Sequence, residues 1–269
     1  MTNDGGPFTG KAALVAGASS GINLAIAQRL GELGAKVALL SRRSHAIEAA
    51  AEQLRALGIT ALPFAADVRD AALIESVAAQ AASAFGPLDI VVSGAAGNFF
   101  ARAEEMSANA FRTVVEIDLL GTFNVLRGAF PHLRKPGASL VNITAPQAQR
   151  PMRMQAHACA AKAGVDMLTK CLALEWGALG IRVNAVSPGP IAGTEGLARM
   201  TMNENPERRI GDALPLRRLG RLSEVADAVA FLCGDGAAFV TGTVLDCDGG
   251  MRLSEFETPA AAANKVAAQ

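Results

Sequence analysis

A doubly wound parallel α/β sheet with helices on both faces is the fold class this sequence predicts, and three observations predict it. Short β-rich runs alternate with long alanine-rich helical patterns along most of the chain. Strands such as Asp89-Ile-Val-Val-Ser93 and Leu140-Val-Asn-Ile143 are apolar at successive positions, so both of their faces must be covered. A glycine-bearing turn, Ala16-Gly17-Ala18-Ser19-Ser20-Gly21-Ile22-Asn23, falls where the first strand passes into the first helix.

The opening reads βαβαβ: a strand at Lys11–Ala16, a helix at Ile22–Leu33, a strand at Lys36–Leu40, a helix at Ala46–Leu57 and a strand at Ile59–Ala65. The alternation continues through a helix at Asp70–Phe85, a strand at Leu88–Ser93, one long helix from about Ala108 to Leu133, and a strand at Ser139–Thr144. A helix at Gln155–Ala178, a strand at Arg182–Ser187, a helix near Ser223–Cys233 and a strand at Thr243–Cys247 complete it. No Pro/Gly/Ser-rich linker divides these units and no internal repeat is found, so residues 1–253 are expected to form one domain. The stretch 193–214 breaks the rhythm between a strand and a helix, which makes it a candidate lid over a pocket. Residues 254–269, with an alanine run and no periodic apolar face, are expected to be a loose tail.

Composition narrows the function classes. Of 269 residues 51% are hydrophobic and 19% charged, and 25 Lys+Arg balance 25 Asp+Glu, which speaks against disorder and against nucleic acid as a partner. Cys159, Cys171, Cys233 and Cys247 lack a Cys-x-x-Cys spacing, and no basic-then-apolar signal opens the chain, so a reduced, cytoplasmic protein is expected. No apolar run approaches the roughly 18 residues of a membrane span. His45, His132 and His157 are too scattered for a metal site, and none is expected. The chain contains no tyrosine at all.

Glycines in the first turn let the backbone bend tightly and approach a pyrophosphate, whose charge meets free N–H groups at the helix start. Gly17, Ser19, Ser20, Gly21 and Ile22 are therefore candidate dinucleotide contacts. Asn23 stands where such loops often carry a third glycine, which is expected to alter helix packing slightly. At the end of the second strand an NAD site usually supplies an acid to the ribose, whereas this chain has Ser41-Arg42-Arg43. Arginines there offer planar donors for a 2′-phosphate, so NADP(H) is favoured over NAD(H), against the simpler reading of two solvated arginines. Asp67-Val68, closing the third strand, is placed to meet an adenine edge or to cap a helix.

With these segments in view, residues 8–252 resemble the short-chain dehydrogenase/reductase family. The glycine loop, Asp67-Val68, Arg182-Val-Asn184, Ser187-Pro-Gly-Pro190 with Thr194, and Asp248-Gly-Gly250 recur in the family's order. The resemblance adds Ala95, Pro188, Gly189, Ile191, Thr194 and Lys162 as cofactor contacts. The family's usual Tyr-x-x-x-Lys pair is represented only by Lys162, because the tyrosine position is Ala158 and the serine position is Ala145. A missing general acid removes roughly 10²–10⁴ in rate from ordinary carbonyl reduction.

Gly94-Ala-Ala-Gly-Asn-Phe99, Glu116-Ile-Asp-Leu-Leu-Gly-Thr-Phe-Asn124, Val141-Asn-Ile-Thr-Ala145 and Gly189-Pro-Ile-Ala-Gly-Thr-Glu-Gly-Leu197 are similar to the peroxisomal-type 2,4-dienoyl-CoA reductases, a branch that also lacks the tyrosine. That resemblance implies Asp118 and Lys162 as catalytic residues, Arg69, Phe99, Asn109 and Arg199 as acyl-CoA contacts, and a homotetramer built through the two long helices. The chain departs from the branch at Ser93, where asparagine is usual, and at its Ala-Ala-Gln269 end, which is no peroxisomal address. Reducing a conjugated thioester spreads charge onto the thioester oxygen and finally protonates carbon, so it needs electrostatic support and a positioned acid or water rather than a phenol. Three alternatives stay open at this point: a dienoyl or enoyl thioester reductase, a short-chain dehydrogenase acting on a ketone or alcohol with an unusual acid, and a weakly catalytic NADP-binding sensor. For Asp118 the competing reading is a buried acid paired with Lys162 or capping backbone, for structure alone.

Overall fold

The computed structural model describes residues 5–194 and 206–253. Seven strands form one parallel sheet: β1 Ala12–Ala16, β2 Lys36–Ser41, β3 Ala61–Ala65, β4 Leu88–Ser93, β5 Ser139–Ile143, β6 Arg182–Pro188 and β7 Val244–Cys247. Their spatial order is β3-β2-β1-β4-β5-β6-β7, so the chain reverses direction across the sheet between β1 and β4.

Side chains alternate across this sheet with the two-residue period of a strand, and each set has its own cover of helices. Ala13 and Val15 of β1 join the core under helices α1 Gly21–Glu32 and α2 Ser44–Ala56, where Ile26, Leu30, Ile47 and Leu54 are fully buried. Ala12, Leu14 and Ala16 face the other core, built with Ile74 and Val77 of helix α3 Ala71–Phe85 and with Leu172 of helix α6 Ala156–Trp176. Burying each such aliphatic side chain contributes roughly 1.5–3 kcal/mol. Helix α3 starts where Asp70 accepts the Leu73 N–H, and the register between β1 and β4 shifts at Asp89, whose buried carboxylate accepts the Ala12 N–H at 2.9 Å and pairs with Arg134.

The single long helix expected over Ala108–Leu133 is interrupted. Helix α4 Ala108–Val115 passes through a π-helical turn at Glu116–Leu120 into α5 Gly121–Ala129, followed by a 3₁₀ turn at Phe130–His132. The Gly121 N–H reaches back five residues to the Glu116 carbonyl. Contacts with the rest of the fold explain the extra residue: a Cβ on Gly121 would lie 2.5 Å from Val68, and Asn124 donates to the Val68 carbonyl at 2.9 Å. The start of α5 is thereby pinned to the loop that follows β3, and the π turn accommodates it.

Remaining differences are small. Strand β3 begins two residues later than expected, and α6 ends at Trp176 and runs into a 3₁₀ turn at Gly177–Leu179. Helix α8 covers Leu222–Cys233. Within the expected lid, Gly193 and Thr194 and a helix α7 at Pro206–Ala213 are described; 195–205 and the expected tail 254–269 lie outside the described residues. Ile210 and Leu214 of this segment pack with Met251, and Met152 lies against them.

Candidate functional site

A groove of about 980 Å³ opens beyond the carboxyl ends of the central strands, at the place where the strand order reverses. Gly17, Ser19, Ser20, Gly21 and Ile22 line one end of it, as the glycine turn requires. Gly17 has φ +82° and a Cβ there would sit 2.8 Å from the Ala95 nitrogen, so only glycine lets the first turn close on the loop after β4. Gly21 begins helix α1 at φ +59° with open space where its side chain would be. Ser20, the cap residue, gives the helix start no side-chain hydrogen bond. An uncapped helix N-terminus facing a groove through a bare glycine is what a pyrophosphate needs, so the residues fit a dinucleotide.

Asn23 does more than replace a glycine. Its amide donates to the Gly94 carbonyl at 2.8 Å, and a Cβ on Gly94 would fall 2.0 Å from its oxygen. The side chain thus ties the first turn to the end of β4. At the adenosine end, Ser41 donates to Ser19 at 3.1 Å, and Arg42 and Arg43 are exposed along the groove wall. Arg69 makes two hydrogen bonds to the Asp67 carboxylate, at 3.0 and 2.7 Å, which holds that carboxyl below its usual range. Neither Asp67 nor Arg69 lines the groove, whereas Val68 does.

The far end is built by loops that glycine permits to touch. Pro188, Gly189, Ile191 and Thr194 line it, with Thr194 donating to the Ile191 carbonyl at 2.8 Å. A Cβ on Gly189 would lie 2.6 Å from Asp248 Cα, which couples the Ser187-Pro-Gly-Pro190 and Asp248-Gly-Gly250 segments. Ala95 and Phe99 also face the groove, and Phe99 stacks on the buried His157 ring at 4.3 Å between centroids. Burial pulls the His157 pKa below the usual imidazole value, against an opposing pull from Asp118. Asn109 sits exposed in the first turn of α4, away from the groove, and Arg199 lies outside the described residues.

At the centre, Asp118 in the π turn and Lys162 on α6 come together. Lys162 Nζ is 3.4 Å from Asp118 Oδ2 and donates to the Ile143 carbonyl at 3.0 Å, while Asp118 Oδ1 accepts the Gly97 N–H at 2.7 Å. Asp118 is 1% exposed and Lys162 7%, yet both line the groove. Gly164 lets α6 approach the π turn closely, since a Cβ there would lie 2.7 Å from the Leu119 side chain. Ala145 and Ala158 line the groove beside the pair and leave it without a hydroxyl at either position.

Sequence reasoning did not single out Asn98, Phe100, Gln147, Met152 and Met251, which also line the groove. Gln147, two residues past Ala145 on the same loop, carried a legible signal. Met251 directly follows Asp248-Gly-Gly250, and the tertiary fold brings it to the groove. Among the described residues no cluster of three or more His, Cys, Asp or Glu is arranged to hold a metal ion, and no helix is long and apolar enough to cross a membrane.

This sheet and groove define a Rossmann-type dinucleotide-binding protein with an oxidoreductase's central lysine. The family model described as enoyl-(acyl carrier protein) reductase matches residues 17–252, and the chain belongs to the short-chain dehydrogenase/reductase family of nicotinamide-cofactor oxidoreductases. Among curated proteins it is 40% identical over 256 residues to the peroxisomal 2,4-dienoyl-CoA reductase of Arabidopsis thaliana, covering 91% of this chain and 86% of that one. It is 36% identical over 249 residues to the probable 2,4-dienoyl-CoA reductase of Bacillus subtilis, covering 91% and 98%. Among solved structures, the citronellol catabolism dehydrogenase of Pseudomonas aeruginosa is 34% identical with a TM-score of 0.81, covering 92% of this chain and 97% of that one. A variant of actinorhodin polyketide ketoreductase with NADPH is 33% identical with a TM-score of 0.85, covering 90% and 97%.

Proposed function

We propose that this protein is an NADPH-dependent 2,4-dienoyl-CoA reductase. One observation carries the reading: the groove keeps the Lys162–Asp118 pair but presents Ala145 and Ala158 where a carbonyl reductase of the family needs its serine and tyrosine. The curated relatives named above support the same substrate class. When bound, the nicotinamide cofactor supplies a hydride to the end of the conjugated system.

Lys162 places positive charge beside the groove and, anchored to the Ile143 carbonyl, is held to meet a ribose hydroxyl. Asp118, fixed by Gly97 and Lys162, relays a proton through water to the substrate carbon as the thioester carbonyl reforms. Phe99, Met152 and Met251 give the acyl chain an apolar wall, and Ile210 and Leu214 pack with Met251 and Met152. Phe99 is the acyl-CoA contact we retain; Arg69 is engaged by Asp67 and Asn109 does not line the groove, so neither is assigned to the thioester.

Arg42 and Arg43 beside Ser41 favour a 2′-phosphate, which supports NADPH over NADH. Four unpaired cysteines suit a reducing, cytoplasmic setting, although several relatives are named peroxisomal. Assembly as a homotetramer is supported by the exposed Phe111, Phe123, Met167 and Leu174 on α4, α5 and α6. Following NADPH oxidation against 2,4-dienoyl-CoA, 2-enoyl-CoA, ketone and alcohol-forming substrates tests the function: the dienoyl thioester is expected to turn over fastest by at least about tenfold, and a ketone reduced at an equal or higher rate overturns it.

A further inference from the structure

Beside the two alanines the groove wall carries a set of carboxamides that the assigned machinery does not use. Gln147 and Asn98 line the groove, and their nitrogens converge on one acceptor, Gln155 Oε1, at 3.0 and 3.5 Å. Gln155 is 1% exposed, and its own Nε2 has no hydrogen-bond partner among the described residues. A buried carboxamide held in this way is costly unless its surroundings fix it or a ligand completes them.

The arrangement orients Gln147. Its Nε2 uses one hydrogen on Gln155, and the trigonal geometry of the amide directs the second hydrogen elsewhere, from a residue on the groove wall two positions past Ala145. Lys162 has three hydrogens, of which the Ile143 carbonyl and Asp118 take two and the cofactor ribose is assigned the third, which leaves the thioester oxygen in need of another donor. A neutral amide suits that task. In conjugate reduction the oxygen collects negative charge and then returns its electron pair to the carbonyl as carbon takes the proton, so a donor at oxygen has to stabilise charge without giving up its hydrogen.

Resting on the dienoyl-CoA reading above, we propose that Gln147 donates a hydrogen bond to the thioester oxygen of the substrate, and that Gln155 is the positioning residue that sets the direction of its amide. The site thereby replaces a proton-donating phenol by a charge-stabilising carboxamide.

The test compares unmutated protein, Gln147→Leu, Gln155→Leu and the double variant, all with NADPH and 2,4-dienoyl-CoA, with thermal melting to check folding. Gln147→Leu is expected to lower kcat about 10- to 100-fold with KM changed less than about threefold, and Gln155→Leu to add less than about threefold on top of it, because both act through one donor. A second readout needs no turnover: the infrared carbonyl stretch of bound enoyl-CoA labelled with ¹³C at C1 should lie at lower wavenumber in the unmutated protein than in Gln147→Leu. Unmutated protein that leaves the dienoyl thioester unreduced overturns the functional reading and this inference with it. Active unmutated protein with an unchanged kcat and an unchanged carbonyl stretch in Gln147→Leu overturns this inference alone. Should Gln155→Leu fail to fold, the Gln147→Leu spectrum and kcat decide.

Discussion

Lys162 Nζ lies 3.4 Å from Asp118 Oδ2, with Asp118 presented by a π turn and Lys162 by the neighbouring helix α6. The pair is nearly shut off from solvent, so its members depend on each other electrostatically. Removing one partner of such a buried pair typically costs about 3–5 kcal/mol because the other is left uncompensated. Lys162→Ala is expected to lose stability of that order in urea denaturation, to weaken NADPH binding and to lower turnover. Asp118→Asn is expected to lower turnover while leaving NADPH affinity nearly unchanged, since its proposed role is proton relay. NADPH affinity falling equally in both variants would contradict the division of roles.

Cofactor choice should follow Arg42, exposed on the wall that continues from Ser41 and Ser19. NADPH is expected to bind more tightly than NADH, and Arg42→Ala to erase most of the difference, a charge-assisted hydrogen bond contributing roughly 1.5–3 kcal/mol. Fluorescence titration of both cofactors measures it; equal affinities in the unmutated protein would refute it.

Acid should weaken the fold through His157. Burial lowers its folded pKa below the roughly 6.5 of an unfolded chain. Below that pH the unfolded chain takes up a proton that the folded one resists, so this contribution to stability is present above about 6.5 and is lost as pH falls from there toward the lower folded value. His157→Phe, which keeps a ring against Phe99, is expected to remove this component. Urea midpoints of the two proteins should converge or cross between pH 7.5 and 5.5 in favour of the variant; parallel curves would contradict the assignment.

Oligomerisation should reside in the exposed apolar side chains of α4, α5 and α6. Leu174 is 84% exposed and Met167 58%, more than a free surface helix needs to show. Light scattering is expected to give about four times the 27.6 kDa chain mass, and Leu174→Glu with Met167→Glu to give a smaller species. A monomer mass for the unmutated protein at micromolar concentration would show that these faces are not used.

Sheet, layers and glycine turn were legible in sequence because they follow from local periodicity and from backbone needs at Gly17 and Gly21. The π turn was not, since the demand on Gly121 comes from Val68, far away in the chain. Asn23 was read as standing at a glycine position and slightly altering helix packing; it ties the turn to Gly94, a contact between segments that no local rule reveals. Arg69 was read by resemblance as a substrate contact, yet Asp67, two residues back, holds it by two hydrogen bonds. Gln155 carried no signal at all: its importance is its burial beneath Gln147, a property of how two loops pack.

The central claim, that a site without serine or tyrosine reduces a conjugated thioester, is tested most directly by following the hydride itself. NADPH deuterated at the transferring position and 2,4-dienoyl-CoA are to be incubated with the protein and the product analysed by mass spectrometry and NMR. Deuterium at the terminal carbon of the former diene, in an enoyl thioester whose carbonyl is intact, is the result predicted. Deuterium on a carbonyl carbon with an alcohol as product, or no transfer to the thioester while a ketone is reduced, would contradict it.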